Sequence, residues 1–284
     1  MFFAALIPLT GIVEALIVRR IPGISRTVLV LVLMWMPAVA SIVARLVTRE
    51  GFGDLSLRLG GRRGARALFV AAAYPLLVGA IAYSIAWGAH LAAFEPPTED
   101  MAFALPRWMV PLTGSPAARF AKSLAIHLTV GAVSGCIFAA GEEIGWRGYL
   151  APRLLDARVR GAIPLSGLVW SMWHWPLMIG SKSPHPALVL GLFTLELVPM
   201  SGLMTRLRLE SGSVLPAIVL HALWNELLGL VFDGFTEAPT LWVGETGSLV
   251  VGAAILLTLP FLRGRWAARR APGEPPYASV GFLS

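Results

Sequence analysis

The chain has 284 residues, 56% of them hydrophobic and only 14% charged, and a mean hydropathy of +0.73. Globular chains carry about 25% charged residues, so a soluble domain is excluded and a polytopic membrane protein is expected. The net charge of +7 does not read as a nucleic-acid footprint, because most of the arginines lie in short loops between apolar runs, where they set topology. The lone Cys136 rules out an intrachain disulfide and argues against a cysteine-ligated metal.

A spanning helix needs about 20 mostly apolar residues. Scanning in chain order, spans are expected at 2–18, 27–47, 67–92, 119–143, 162–180, 187–205, 213–232 and 247–262. The first lacks a basic flank before it and a small-residue cleavage site after it, so it reads as a retained span and not as a signal peptide. It is the weakest of the set: it is short, contains Glu14, and is followed by Arg19, Arg20 and Arg26. The expected fold is all-α, a transmembrane bundle of about eight helices forming one domain over residues 1–265. The tail 266–284, with Pro272, Gly273, Pro275 and Pro276, has the composition of a disordered segment. Arginines concentrate after the even-numbered spans (Arg49, Arg58, Arg62, Arg63, Arg66, Arg153, Arg158, Arg160), while the loop after 213–232 carries Asp233, Glu237 and Glu245 without a base. The even side, with both termini, is therefore expected in the cytoplasm.

Two loops stand out. Residues 49–66 intersperse Asp54, Leu55, Leu57 and Leu59 with arginines, the pattern of an amphipathic segment on anionic headgroups. Gly51-Phe52-Gly53-Asp54 imitates the Gly-x-Gly-Asp of intramembrane aspartyl proteases, but that chemistry needs a second intramembrane aspartate, and Asp54 lies in a basic loop. The proline-rich 93–118 loop is expected to cap the outer face.

Chemistry concentrates in three later spans. Glu142-Glu143-Ile144-Gly145-Trp146-Arg147 ends an apolar run, and adjacent carboxylates there are expensive to bury. Residues four apart share a helical face, so Glu143 faces Arg147 as an ion pair, and Glu142 points elsewhere, free to act chemically. His174 has Trp170 on its face, and His221 has Asn225, an amide able to hold a water or an oxyanion. Helical rise places His174 about 18 Å and His221 about 12 Å from the even-side ends of their spans. Glu142 lies at about 20 Å if its helix continues to Leu155, so all three can meet in one layer. Glu196 and Glu226 read as buried carboxyls bonded to a neighbouring helix, His127 as a helix–helix hydrogen bonder, and His90 and His185 as interfacial.

Glu-Glu-x-x-x-Arg, aromatic-x-x-x-His and His-x-x-x-Asn on successive apolar helices resemble the CPBP family of intramembrane proteases, the CAAX prenyl-endopeptidase and bacteriocin-processing proteins also called Abi. The resemblance covers residues 119–232, which would be the catalytic core. The family usually has phenylalanine where this chain has Trp170, which keeps an aromatic wall but narrows the pocket. The resemblance implies Glu142 as general base, His174 and His221 holding or polarising water or a metal, Asn225 stabilising the oxyanion, and Glu143 and Arg147 in support. Glu142, His174 and His221 would suit zinc; a metal-free glutamate mechanism is equally open, and no His-Glu-x-x-His helix occurs. The implied activity is hydrolysis of a peptide bond in a membrane-associated, prenylated or leader-bearing peptide, in a bacterial plasma (inner) membrane, with no nucleic acid involved. The competing expectations are a non-proteolytic scaffold or bacteriocin-immunity protein of the same fold, and a proton-coupled transporter. The absence of internal repeats weighs against the transporter.

Overall fold

The computed structural model describes residues 1–19, 23–96, 114–180, 185–237, 241–266 and 280–283. Among them are eight helices: α1 (Phe2–Arg19), α2 (Arg26–Thr48), α3 (Gly61–Gly88), α4 (Pro116–Asp156), α5 (Ala162–Gly180), α6 (Pro186–Ser211), α7 (Leu215–Phe235) and α8 (Ser248–Leu262). All but α5 and α8 are long and apolar enough to cross a membrane, and the protein is an integral, multi-pass membrane protein. α5 falls short because Trp170, Trp173, His174, Trp175 and Pro176 dilute its hydropathy.

The observed ends differ most from the expected ones at α3, α4 and α6, where apolar counting stops at the first polar residues and backbone hydrogen bonding does not. α3 begins six residues early, after Gly60 turns the chain at φ 72°. Arg62, Arg63 and Arg66 are tolerated there because they are exposed and their long stems reach water. α4 runs for 41 residues, straight through the glutamate pair. Ser115 caps its start by accepting from the Ala118 N–H, with Pro116 in the first turn. α6 continues to Ser211, where Gly212 ends it in the left-handed region at φ 71°.

α7 is the central helix: 72% of its apolar stretch is buried, against 28% to 44% for the other five candidate spans. It packs against α3, α4 and α6; α5 pairs with α6, α8 bridges α6 and α3, and α1 lies on α2. α4 meets α2 closely because Gly141 and Gly145 have no side chains. A Cβ on Gly141 would stand 2.5 Å from Trp35 Cα, and one on Gly145 would stand 2.4 Å from Pro37 Cβ. Small residues four apart are the usual means of such an approach in membranes, and here they hold the glutamates inward. α4 widens into π-helical turns at His127–Gly131 and Trp146–Leu150, and α7 does so at Asn225–Phe232. Such widenings re-aim a helix face and recur at functional sites.

The arginine-rich end is clamped. Arg45, 1% exposed, donates to both Asp54 carboxylate oxygens at 2.6 and 3.1 Å and to the carbonyls of Gly51 and Gly148. Arg153 adds a second ion pair to Asp54 at 3.1 Å, and Arg208 donates to the Asp54 carbonyl. Burial would raise the Asp54 carboxyl, but the Arg45 hydrogen bonds and the charges of Arg45 and Arg153 outweigh it and hold it below the ordinary carboxylate value. Leu55 packs inward beside Val214 and Ile218. Residues 54–56 of the 49–66 loop are thus half-buried against the bundle, residues 51–53 and 57–60 are exposed, and no helix forms before Gly61. Of the 93–118 loop, residues 97–113 lie outside the described residues; Phe94 packs on Trp87, Phe120 and Phe235. Of the tail, 267–279 lie outside them as well, while Trp266 and Val280 pair as a short antiparallel bridge beside Ile163 and Leu209.

Candidate active site

Three helices bring the polar residues together. α4 supplies Glu142, Glu143 and Arg147, α5 supplies Trp170 and His174, and α7 supplies His221 and Asn225. Glu142 and Glu143 are 1% and 0% exposed. The facing expected from helical spacing is present: Glu143 Oε1 accepts from Arg147 Nη1 at 2.9 Å, one turn away, and from His221 Nδ1 at 2.8 Å. Glu142 turns the other way and accepts from the Trp170 indole N–H at 2.7 Å.

Hydrogen bonding fixes both imidazoles. A backbone carbonyl and a carboxylate can only accept. His174 Nδ1 faces the Trp170 carbonyl at 2.9 Å and His221 Nδ1 faces Glu143, so both rings donate from Nδ1. In the neutral ring that leaves Nε2 with the lone pair. His174 Nε2 stands 3.8 Å from Glu142 Oε2, too far for a direct hydrogen bond.

These groups border a cavity of about 230 Å³. Its walls are Val30, Leu33 and Met34 of α2, Trp173 and Leu177 of α5, Phe193, Leu197 and Met200 of α6, and Trp224 of α7. Glu142, Trp170, His174, His221 and Asn225 form its polar side. An apolar pocket with a few convergent polar groups is the usual form of a ligand site. The structure thus joins all six residues singled out in the sequence: five line the cavity or bond those that do, and Arg147 stacks 3.9 Å above the Trp170 ring while holding Glu143.

Two residues were missed. Glu245, in the loop after α7, also lines the cavity; its position depends on Tyr83, whose hydroxyl accepts from the Gly244 N–H at 3.1 Å, and no local pattern announces that fold-back. Trp170 was read only as a wall, yet it bonds Glu142. Conversely, Glu196, buried at 1% exposure, makes no side-chain hydrogen bond among the described residues, although a bond to a neighbouring helix was expected. Glu226 does make one, to His127 of α4 at 2.5 Å. As to zinc, no group of three His, Cys, Asp or Glu side chains close enough to hold a metal ion occurs among the described residues. Glu142 Oε2 is engaged by an N–H, and Glu143 Oε1 by two donors. No step below runs through a metal.

Residues 123–227 match the family model described as type II CAAX prenyl endopeptidase Rce1-like. Over 131 residues the chain is 36% identical to CAAX prenyl protease 2 of Methanococcus maripaludis, an alignment covering 42% of this chain and 46% of that protein. The matched region spans about half the length of that relative. All three motifs fall inside 123–227, the segment that matches this family model.

Proposed function

We propose that this protein, whose residues 123–227 match the Rce1-like family model, is an intramembrane endopeptidase using Glu142 as general base. The observation that carries this reading is the Glu142 carboxylate, 3.8 Å from the free nitrogen of His174, at the edge of an apolar cavity that His221 and Asn225 also line. A water molecule between Glu142 and the imidazoles gives its proton to the carboxylate, and its oxygen attacks the scissile carbonyl carbon. The carbonyl oxygen gains the negative charge and takes a hydrogen bond from the Asn225 side-chain N–H. The carbon–nitrogen bond then breaks, and the proton on Glu142 passes to the leaving amine. Glu143 does not touch substrate; it keeps His221 protonated on Nδ1 and so keeps Nε2 available, while Arg147 neutralises Glu143 in a site with little water. The cavity's apolar walls suit a peptide carried by a lipid-like or hydrophobic segment, and the name of the Methanococcus relative directs attention to prenylated C-termini.

The test compares cleaved membrane-protein termini by mass spectrometry in cells expressing wild type or Glu142→Ala at equal levels. Termini found only with wild type support proteolysis and identify the substrate. Identical sets would remove the endopeptidase reading in favour of a scaffold or immunity protein.

A further inference from the structure

We infer that Trp170 is the positioning residue for Glu142, and that its indole N–H, not only its bulk, sets the carboxylate for reaction. The inference deepens the endopeptidase reading and rests on it for its kinetic consequence.

A carboxylate inside a bilayer has little water to satisfy it, so the donors it receives determine where it points. Among the described residues Glu142 receives one hydrogen bond, from Trp170 Nε1 at 2.7 Å. The other donors nearby bond elsewhere or, like Arg147 Nε and Nη2, make no hydrogen bond among the described residues. Arg147 Nη1 bonds Glu143, His221 Nδ1 bonds Glu143, and His174 Nδ1 bonds the Trp170 carbonyl. At 3.8 Å, His174 Nε2 is out of hydrogen-bond range.

The indole is itself fixed from every side. It is 2% exposed. The Arg147 guanidinium lies 3.9 Å over its ring, and the His221 and His174 rings meet it edge-on at 5.4 and 5.8 Å. Its carbonyl orients His174. Trp170 therefore touches Glu142, Arg147, His174 and His221, and touches Glu142 by a short bond to its carboxylate. Such charge-assisted bonds are roughly twice as strong as neutral ones. Oε2, the oxygen that the indole holds, is also the one 3.8 Å from His174 Nε2. A phenylalanine at this position would preserve the ring face and the carbonyl but supply no donor, so Glu142 would be free to rotate away from His174.

Two experiments test this. The first needs no substrate. In protein labelled with ¹⁵N at the indole nitrogens, Trp170→Phe identifies the Trp170 signal by its loss. Glu142→Ala is expected to move that signal upfield, because its acceptor is gone; an unmoved signal overturns the contact and the proposal with it. The second uses the peptide identified from wild-type-dependent termini. Trp170→Phe, and replacement of Trp170 by 3-benzothienylalanine, which keeps the shape and lacks the N–H, are both expected to lower kcat about 10-fold to 100-fold with KM within about twofold, the range for losing one hydrogen bond to a charged group. Full kcat with the benzothienyl ring but not with phenylalanine would reduce Trp170 to packing and overturn the proposal. If wild type and Glu142→Ala produce the same termini, the endopeptidase reading fails, and the labelled-indole measurement still decides whether Trp170 holds Glu142.

Discussion

Two histidine–glutamate contacts join the same pair of helices, and one of them borders the cavity lined by Glu142 and His174. His221 of α7 bonds Glu143 of α4 at 2.8 Å; His127 of α4 bonds Glu226 of α7 at 2.5 Å. Both are buried, and both adjoin π-helical turns. The first is surrounded by further groups: Arg147 on the same carboxylate oxygen, Trp170 against the imidazole, and Glu142 and Asn225 beside the same cavity. The second has Gly131 and Gly135 against Glu226 and no place on the cavity wall. A buried pair of this kind links helices; it becomes a reaction site when a further carboxylate, a free imidazole nitrogen and open space converge beside it.

The largest effect should come from the carboxylate outside the pairing. Glu142→Ala should lower cleavage by about 1,000-fold or more while the protein still inserts and migrates as wild type, within the range for loss of a general base; turnover within about tenfold of wild type would end that assignment. Next comes Asn225→Ala, expected to cost about 100-fold in kcat with little change in KM, as for removal of one oxyanion donor. A drop confined to KM would make Asn225 a binding group instead.

The second pair should behave in the opposite way. His127→Leu alone leaves Glu226 buried without its partner and should destabilise by about 3 kcal/mol, read as a lower Tm in detergent. Combining it with Glu226→Leu should recover most of that loss, because an apolar replacement of a buried pair is close to neutral. Cleavage by the double variant should stay within about threefold of wild type, and a loss as large as that of Glu142→Ala would dissolve the distinction between the two regions. The smallest effect belongs to the arginine-rich end. Asp54 has its carboxyl held below the ordinary value in the folded chain. Its contribution to stability is therefore complete above the unfolded value near about 3.9 and is lost as pH falls through the lower folded value. Tm of wild type and Asp54→Asn, compared at neutral pH and near pH 3, should differ more at neutral pH.

Sequence by itself determined the class of the molecule and most of the site. Hydropathy is a local property, so the eight helices were visible, including the doubtful α1, and their ends shifted most where polar residues sit on a helix that continues, as at Gly61, Glu142 and Ser211. Helical period alone separated Glu143, which faces Arg147, from Glu142, which does not. Rise per residue put Glu142, His174 and His221 within one layer. What only the tertiary structure decided are contacts between elements distant in sequence. It turned Trp170 from a wall into a donor, because α5 presents its indole N–H to Glu142 of α4. It brought Glu245 to the cavity through a loop held by Tyr83, and Asp54 to Arg45. It also gave His127 and Glu226 to each other and His221 to Glu143. Composition and spacing report which faces are polar; which polar faces meet is set by close approaches such as that of Gly141 and Gly145 to α2, where packing of whole helices fixes the partners.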